Sequence, residues 1–314
     1  MTVSKVNPLL SVVVPVYNED ACLEATQARL AEVLGGMGID YEIVYVDDGS
    51  GDGSLELLRG FSREDHRVRY FSLSRNFGHE VATSCGLHHC RGDAAILIDA
   101  DLQDPPELIP GMLERWREGY EVVAGRRARR DGESWLKRRT SAWFYRLLSR
   151  FAEVEIPEGV GDFRLVDRRV IDEFNRFTER NRFVRGMFPW IGYRQHVFEY
   201  HRAPRFGGKT KYSYLKLLWL SLEALSGFSM APLRLAIAVG SVVTVLSMLA
   251  VLAILVDKLF LNLELPGYAL LTAGMFFLGG TQLMFLGLIG EYIGKIYREV
   301  QGRPLYLVRE QSPE

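Results

Sequence analysis

The chain has 314 residues, which at ~100–200 residues per domain makes one large domain or two. Its 38 Lys and Arg balance 39 Asp and Glu, and a net charge of -1 excludes the overall basic footprint of a nucleic-acid binder. A 48% hydrophobic and 11% aromatic content excludes a disordered chain, and the odd set Cys22, Cys85 and Cys90 offers neither a disulfide framework nor a standard zinc spacing.

In chain order, residues 9–15 form a short apolar, β-branched run, as expected of a strand covered on both faces. Residues 19–34 have helical apolar spacing and end at Gly35-Gly36. Residues 41–46 predict a second strand, 54–61 a helix, 68–73 a third strand and 78–90 a helix. Residues 94–98 predict a fourth strand, 106–118 a helix and 121–124 a further strand. This alternation predicts an α/β domain, Rossmann-like, with a mostly parallel sheet and right-handed crossovers. Ligands then bind beyond the carboxyl ends of the strands, where Tyr17-Asn18-Glu19, Asp47-Asp48 and the residues from Asp99 to Asp104 fall.

Beyond the α/β part the composition changes. Residues 214–228 carry an apolar stripe at Leu215, Leu218, Trp219, Leu222, Leu225 and Phe228, which predicts an amphipathic helix lying in the headgroup layer. Residues 183–190 are a second candidate for such an element. Residues 235–256 and 265–290 are uncharged, and each run exceeds the ~20 residues that cross a bilayer core. Arg234 before the first run and Lys295, Arg298, Arg303 and Arg309 after the second outnumber Lys258 between them, so both termini are expected in the cytoplasm. Residues 1–8 lack a basic-then-apolar pattern, so no signal peptide is expected. The expected organisation is a catalytic domain over 1–175, interfacial helices with a cationic loop over 176–230, two transmembrane helices (about 233–256 and 265–290) within 231–298, and a cytoplasmic tail over 299–314.

The sharpest chemical signal is Asp99-Ala100-Asp101-Leu102-Gln103-Asp104. At the end of an extended strand, residues i and i+2 point the same way, so Asp99 and Asp101 can present two carboxylates to one cation while Gln103 adds an amide oxygen. An all-oxygen set with few protein ligands suits Mg²⁺ or Mn²⁺. A basic segment follows at Arg126, Arg127, Arg129, Arg130, Lys137, Arg138 and Arg139, and guanidinium groups there suit phosphate oxygens. Between the two candidate headgroup-layer elements, residues 205–212 are expected to form a flexible, cationic loop at the headgroup level, placed to contact a lipid phosphate.

Pro15-Val16-Tyr17-Asn18-Glu19, Asp47-Asp48-Gly49-Ser50 and the Asp99–Asp104 segment with Pro105-Pro106 resemble family 2 glycosyltransferases of GT-A fold. Gly161-Asp162-Phe163-Arg164, the loop Arg205-x-x-Gly208-Lys209-x-Lys211-Tyr212 and two C-terminal spans narrow the resemblance to the polyprenyl-phosphate glycosyltransferases. That group includes dolichyl-phosphate mannose synthases and bacterial undecaprenyl-phosphate glucosyltransferases of the GtrB type. The family loop usually reads Gly-x-Ser-Lys; here Thr210 stands for Ser and keeps the hydroxyl.

The resemblance implies an inverting transfer of a sugar from a nucleotide sugar to a polyprenyl phosphate at the cytoplasmic membrane face. Glucose from UDP-glucose is the favoured donor. GDP-mannose and a UDP-linked aminoarabinose remain alternatives, as do a processive polysaccharide synthase and a non-catalytic nucleotide-sugar-binding membrane protein. Pro15, Tyr17, Glu19, Asp47, Asp48, Asp99 and Arg126 would hold the donor, and Asp99, Asp101 and Gln103 the metal. Asp162, with Asp101, would be catalytic, and Arg138, Arg139, Ser141, Arg205 and Lys211 would bind the phosphate of the lipid acceptor. The glycines Gly279, Gly280, Gly287, Gly290 and Gly294 give the second span a small-residue face, which predicts a homo-oligomer.

Overall fold

A computed structural model of the chain describes residues 8–127, 159–180, 182–200, 231–260 and 267–313. These divide into two compact units, one containing the α/β elements together with the chain from Arg303 onward, the other containing two long helices.

In the first unit, β1 (Leu10–Val16) and β2 (Tyr41–Asp47) are buried at every position; both are mostly apolar, and Ser11 donates to Glu42 at 2.6 Å across the pair. With β3 (Val68–Leu73) and β4 (Ala94–Leu97) they form a parallel block. The crossovers are α1 (Asp20–Gly35), α2 (Ser54–Glu64) and α3 (His79–His89). A Cβ added at Gly86 of α3 would meet a Val13 methyl at 2.2 Å, so glycine is what lets this helix lie against β1. The expected helix over 106–118 begins as a 3₁₀ turn, Pro106–Leu108, and continues as α4 (Ile109–Arg117).

The sheet is mixed rather than mostly parallel. Its order is β7-β5-β6-β4-β1-β2-β3-β8. β5 (Val122–Arg127) pairs in parallel with β7 (Gln195–Tyr200), and β6 (Val160–Asp167) runs antiparallel to both β4 and β5. The alternating pattern stops being readable after residue 124, because β6 places Arg164 in the middle of a buried strand and so breaks the apolar run that marks a covered strand. Asp167 closes β6 and caps α5 (Arg168–Arg176), accepting from the Arg169 amide at 3.0 Å and from the Trp116 indole at 2.8 Å.

The stretch considered as a second headgroup-layer element is α6 (Val184–Ile191). Its apolar residues turn inward: Val184, Met187 and Phe188 are buried, and Phe188 stacks on Phe174 at 5.2 Å. Only Trp190 remains well exposed, at 58%. The helix therefore spends its apolar face on the core of the α/β unit. The amphipathic stretch 214–228 and the cationic loop 205–212 lie outside the described residues.

The segment expected as a tail contains β8 (Val308–Gln311), which pairs antiparallel with β3 and covers that sheet edge. Glu310 accepts from Arg59 Nε at 2.8 Å and Nη2 at 2.6 Å, and from the Tyr70 hydroxyl at 2.7 Å. These bonds hold its carboxyl down at about 2. A carboxylate depressed by folding contributes stability above its unfolded value, about 4.3, and loses it as pH falls through the folded value. Amide protection factors over Val308–Gln311 are thus expected to drop several-fold between about pH 4.5 and pH 2, and Glu310→Gln should show the same loss already at pH 7. Hydrogen exchange followed by mass spectrometry checks both, and flat protection in either experiment would contradict the latch.

The second unit contains α7 (Ala231–Phe260) and α8 (Gly267–Val300). Among the described residues one stretch is long and apolar enough to cross a membrane, Gly274–Val300, with a mean hydropathy of 1.3 and none of it buried. Within α7 the apolar stretch is the shorter Ala236–Leu249.

Candidate active site

The loops after β1, β2, β3 and β4 gather at the carboxyl ends of the parallel block. Two of them contain non-glycine residues in the left-handed region, Asn18 and Leu102, each at a φ of 55°. Such backbone costs ~1–3 kcal/mol and persists where its surroundings enforce it. Asn18 is fixed by its neighbours across the loop: its amide donates to Ser50 Oγ at 3.0 Å and its Oδ1 accepts from the Gly51 amide at 2.8 Å. This ties Tyr17 and Glu19 to the loop after Asp47. Tyr17 is 49% exposed, while Pro15 lies buried within β1.

Asp47 and Asp48 are both buried and both engaged with their own chain. Asp47 accepts from the Ser50 amide at 3.0 Å and from Ser72 Oγ at 2.7 Å. Asp48 accepts from the amides of Phe77 at 2.7 Å and Gly78 at 2.9 Å. Burial raises the Asp48 carboxyl despite these two amides. Both carboxylates thereby shape the loops that flank the cleft.

At the centre of the site an imidazole lies between two carboxylates. His79, the first residue of α3, places Nε2 3.7 Å from Asp99 Oδ1 and 3.7 Å from Asp162 Oδ2. Asp162 comes from β6 and is gripped by Arg185 of α6, whose Nε donates to Oδ1 at 2.8 Å while Nη2 donates to Oδ2. Burial pushes the Asp162 carboxyl up, but the Arg185 guanidinium overrides it and holds the group well below the usual carboxylate range. Asp162 in turn raises Arg185. Below lies Arg164, fully buried, donating to the Gly161 carbonyl at 2.7 Å and stacked 4.8 Å over the Phe188 ring; burial lowers it to about 10. Glu80 accepts from the Val184 amide at 2.8 Å and is raised by burial.

Asp99 is raised by burial, then by the nearby Asp162, Asp104 and Asp101, with His79 opposing. Asp101 folds back to accept from the Gln103 amide at 3.1 Å, and Gln103 is buried. Asp104 bonds the Tyr200 hydroxyl at the end of β7, which anchors this turn to a distant strand. Among the described residues no three His, Cys, Asp or Glu side chains form a ready-made metal cage. The donor set still fits a hard divalent cation. Its oxygens are few, and a carboxyl raised by burial and by neighbouring carboxylates is one that a cation would return to its charged form.

Arg126 sits on β5 opposite Glu199 of β7 and forms an ion pair with it at 3.5 Å. Arg138, Arg139, Ser141, Arg205 and Lys211 lie outside the described residues. Sequence reading missed His79, Glu80, Arg164 and Arg185. Arg164 had a signal, since it belongs to the Gly161-Asp162-Phe163-Arg164 motif; Arg185 is hidden in an apolar stretch. The three cysteines are buried and form no disulfide with one another, and burial raises the Cys85 thiol to about 12.

Carboxylates and arginines gather at the carboxyl edge of this α/β sheet, and the chain is a glycosyltransferase. It belongs to glycosyl transferase family 2, whose family model matches residues 11–174. An uncharacterized glycosyltransferase of Bacillus subtilis, YkcC, is 46% identical over 300 residues, covering 96% of this chain and 93% of the relative. The prophage-derived bactoprenol glucosyl transferase of Shigella flexneri is 39% identical over 301 residues, covering 96% and 97%. Among solved structures, a mannosyltransferase of Pyrobaculum calidifontis in complex with GDP-Man and Mn²⁺ overlaps 95% of this chain and 88% of its own, with 16% identity and a TM-score of 0.43.

Proposed function

We propose that the protein transfers a glucosyl unit from UDP-glucose to a polyprenyl phosphate of the undecaprenyl type, with inversion, at the cytoplasmic face of a membrane. The observation that carries this reading is the similarity, over nearly the whole length of both chains, to a bactoprenol glucosyl transferase. Asp99, Asp101 and Gln103 would hold Mg²⁺ or Mn²⁺, which when bound supplies positive charge opposite the departing diphosphate. Tyr17 offers an exposed ring to the base of the donor, and the loops built by Pro15, Glu19, Asp47 and Asp48 wall that side. Arg126, with Arg138, Arg139, Ser141, Arg205 and Lys211, supplies groups for phosphate.

The nucleophile in this reading needs little activation. A phosphomonoester has a second pKa of ~6 and is largely dianionic at neutral pH. Asp162, ionised and engaged through both oxygens by Arg185, serves to position rather than to take a proton. A single displacement by the lipid phosphate inverts the anomeric centre.

Connectivity supports a membrane hairpin. The chain leaves the sheet after β7 and rejoins it at β8, so the intervening segment crosses a membrane an even number of times. With α8 as one crossing, α7 is the apolar helix available for the other, and both chain ends share the side that carries the excess of Lys and Arg. Self-association runs through the glycines of α8 in this reading.

Purified enzyme incubated with undecaprenyl phosphate and, in separate arms, UDP-glucose, GDP-mannose and a UDP-aminoarabinose donor is expected to make glycolipid from UDP-glucose. Product in another arm, a long polymer or free sugar would replace the proposal. Chelation with EDTA should abolish turnover, and added Mn²⁺ or Mg²⁺ should restore it; full activity in EDTA would rule out the metal role.

A further inference from the structure

The transferase reading gives Asp162 a part but leaves Arg185 as its accessory. The geometry points the other way. Arg185 meets Asp162 through one edge of its guanidinium, Nε at 2.8 Å from Oδ1 and Nη2 on Oδ2. The opposite edge, Nη1 with the outward proton of Nη2, has no acceptor among the described residues. The side chain of Arg185 is 42% exposed and that of Asp162 only 11%, so the carboxylate is the inner member of the pair and the cation the outer one. A carboxylate with both oxygens already accepting is poorly placed to draw a proton from a substrate. A planar cation pinned along one edge presents its second edge in a fixed direction.

The other arginine beside Asp162 cannot serve a ligand. Arg164 is 2% exposed, and its guanidinium is committed to the Gly161 carbonyl and the Phe188 ring. Arg185 is thus the permanently charged donor at this centre that a ligand can reach. It stands near Asp99 and Glu80, with the His79 imidazole between Asp99 and Asp162, so a fixed guanidinium favours the approach of an anion to this group of carboxylates.

We propose that the outer edge of Arg185 is a seat for a substrate phosphate, and that Asp162 is the positioning residue that aims it. Two parallel N–H bonds to phosphate oxygens match the guanidinium fork, and a side chain already held in place loses little freedom when the ligand arrives. The inference rests on the transferase reading for the identity of the phosphate, which is either the donor's diphosphate or the acceptor's monophosphate.

The test is equilibrium binding to the full chain in detergent, with inorganic pyrophosphate plus Mn²⁺ as the donor-side probe and farnesyl phosphate as the acceptor-side probe. Arg185→Gln is expected to raise the Kd of at least one probe tenfold or more in protein that is still folded at the assay temperature, with a thermal transition lowered by the loss of the partner of Asp162, and the probe affected identifies the source. Arg185→Lys, which keeps the charge without the fork, should recover part of that loss. Asp162→Asn should weaken the same probe by a smaller factor, an effect that a proton-accepting Asp162 would not produce. Should Arg185→Gln fail to fold, the lysine and Asp162→Asn variants carry the comparison. Wild-type affinity for both probes in the folded variants overturns the proposal. Binding is read without turnover, so a wild-type enzyme that seats the probes yet makes no glycolipid counts against the transferase reading and not against this seat.

Discussion

Asn in place of Asp99 or Asp101 is expected to lower glycolipid formation by on the order of 10²–10³-fold, the scale on which removing one preorganised group that faces developing charge acts. The reason lies in the geometry of the strand end. β4 delivers Asp99 into a position where burial and three neighbouring carboxylates already disfavour its charge. Asp101 is set by a turn through Leu102 in a backbone region that leucine rarely adopts. A site that maintains such backbone and such crowding invites a cation, and either amide would weaken its hold while leaving shape nearly intact. Radiolabelled product at saturating donor and lipid measures the effect, with the thermal transition as control. Turnover within threefold of wild type in both variants would refute the metal role assigned to this pair.

Gly49→Ala should destabilise the α/β unit by about 2–5 kcal/mol, combining ~1–2 kcal/mol for a left-handed L-residue with ~1–3 kcal/mol for overpacking. Gly49 has a φ of 69°, and an added Cβ would lie 2.5 Å from the Arg75 carbonyl carbon and 2.8 Å from the Asn76 nitrogen. Those are backbone atoms, so no side chain can swing aside. The strain would reach the site as well, because Asp48, next in the chain, fixes the Phe77 and Gly78 amides just ahead of His79. Thermal denaturation in detergent should show Tm lower by at least about 5 °C. A shift below about 2 °C would mean that the loop relaxes freely.

How much of this was legible in the sequence follows from how each element meets solvent. The parallel block was readable because β1 and β2 are buried along their whole length and are apolar and β-branched at most positions, with Ser11, Glu42 and Asp47 as the exceptions. β6 was not, since Arg164 interrupts it and finds its partners in a carbonyl of the same strand and a ring of α6, neither visible in a linear pattern. β8 reads Val-Arg-Glu-Gln, a polar edge strand with no periodicity to distinguish it from a loop. The same division holds at the site. Asp99 and Asp101 could be singled out because two acidic residues closely follow an apolar run, but the strand-end spacing expected of them is not what places them: β4 ends at Leu97 and Asp101 sits in a turn. His79 and Arg185 reach Asp162 from two helices that only the tertiary fold brings together.

The placement of β8 also bears on biosynthesis. It follows both long helices in the chain, so its place beside β3 stays unfilled until the ribosome has finished them. A nascent chain carries that unpaired edge through the whole interval, the stage at which strand edges recruit wrong partners. By the same logic, a polypeptide cut just before the hydrophobic region is an unfinished sheet, and it would need the closing dozen residues supplied in trans to behave as a well-mannered soluble fragment.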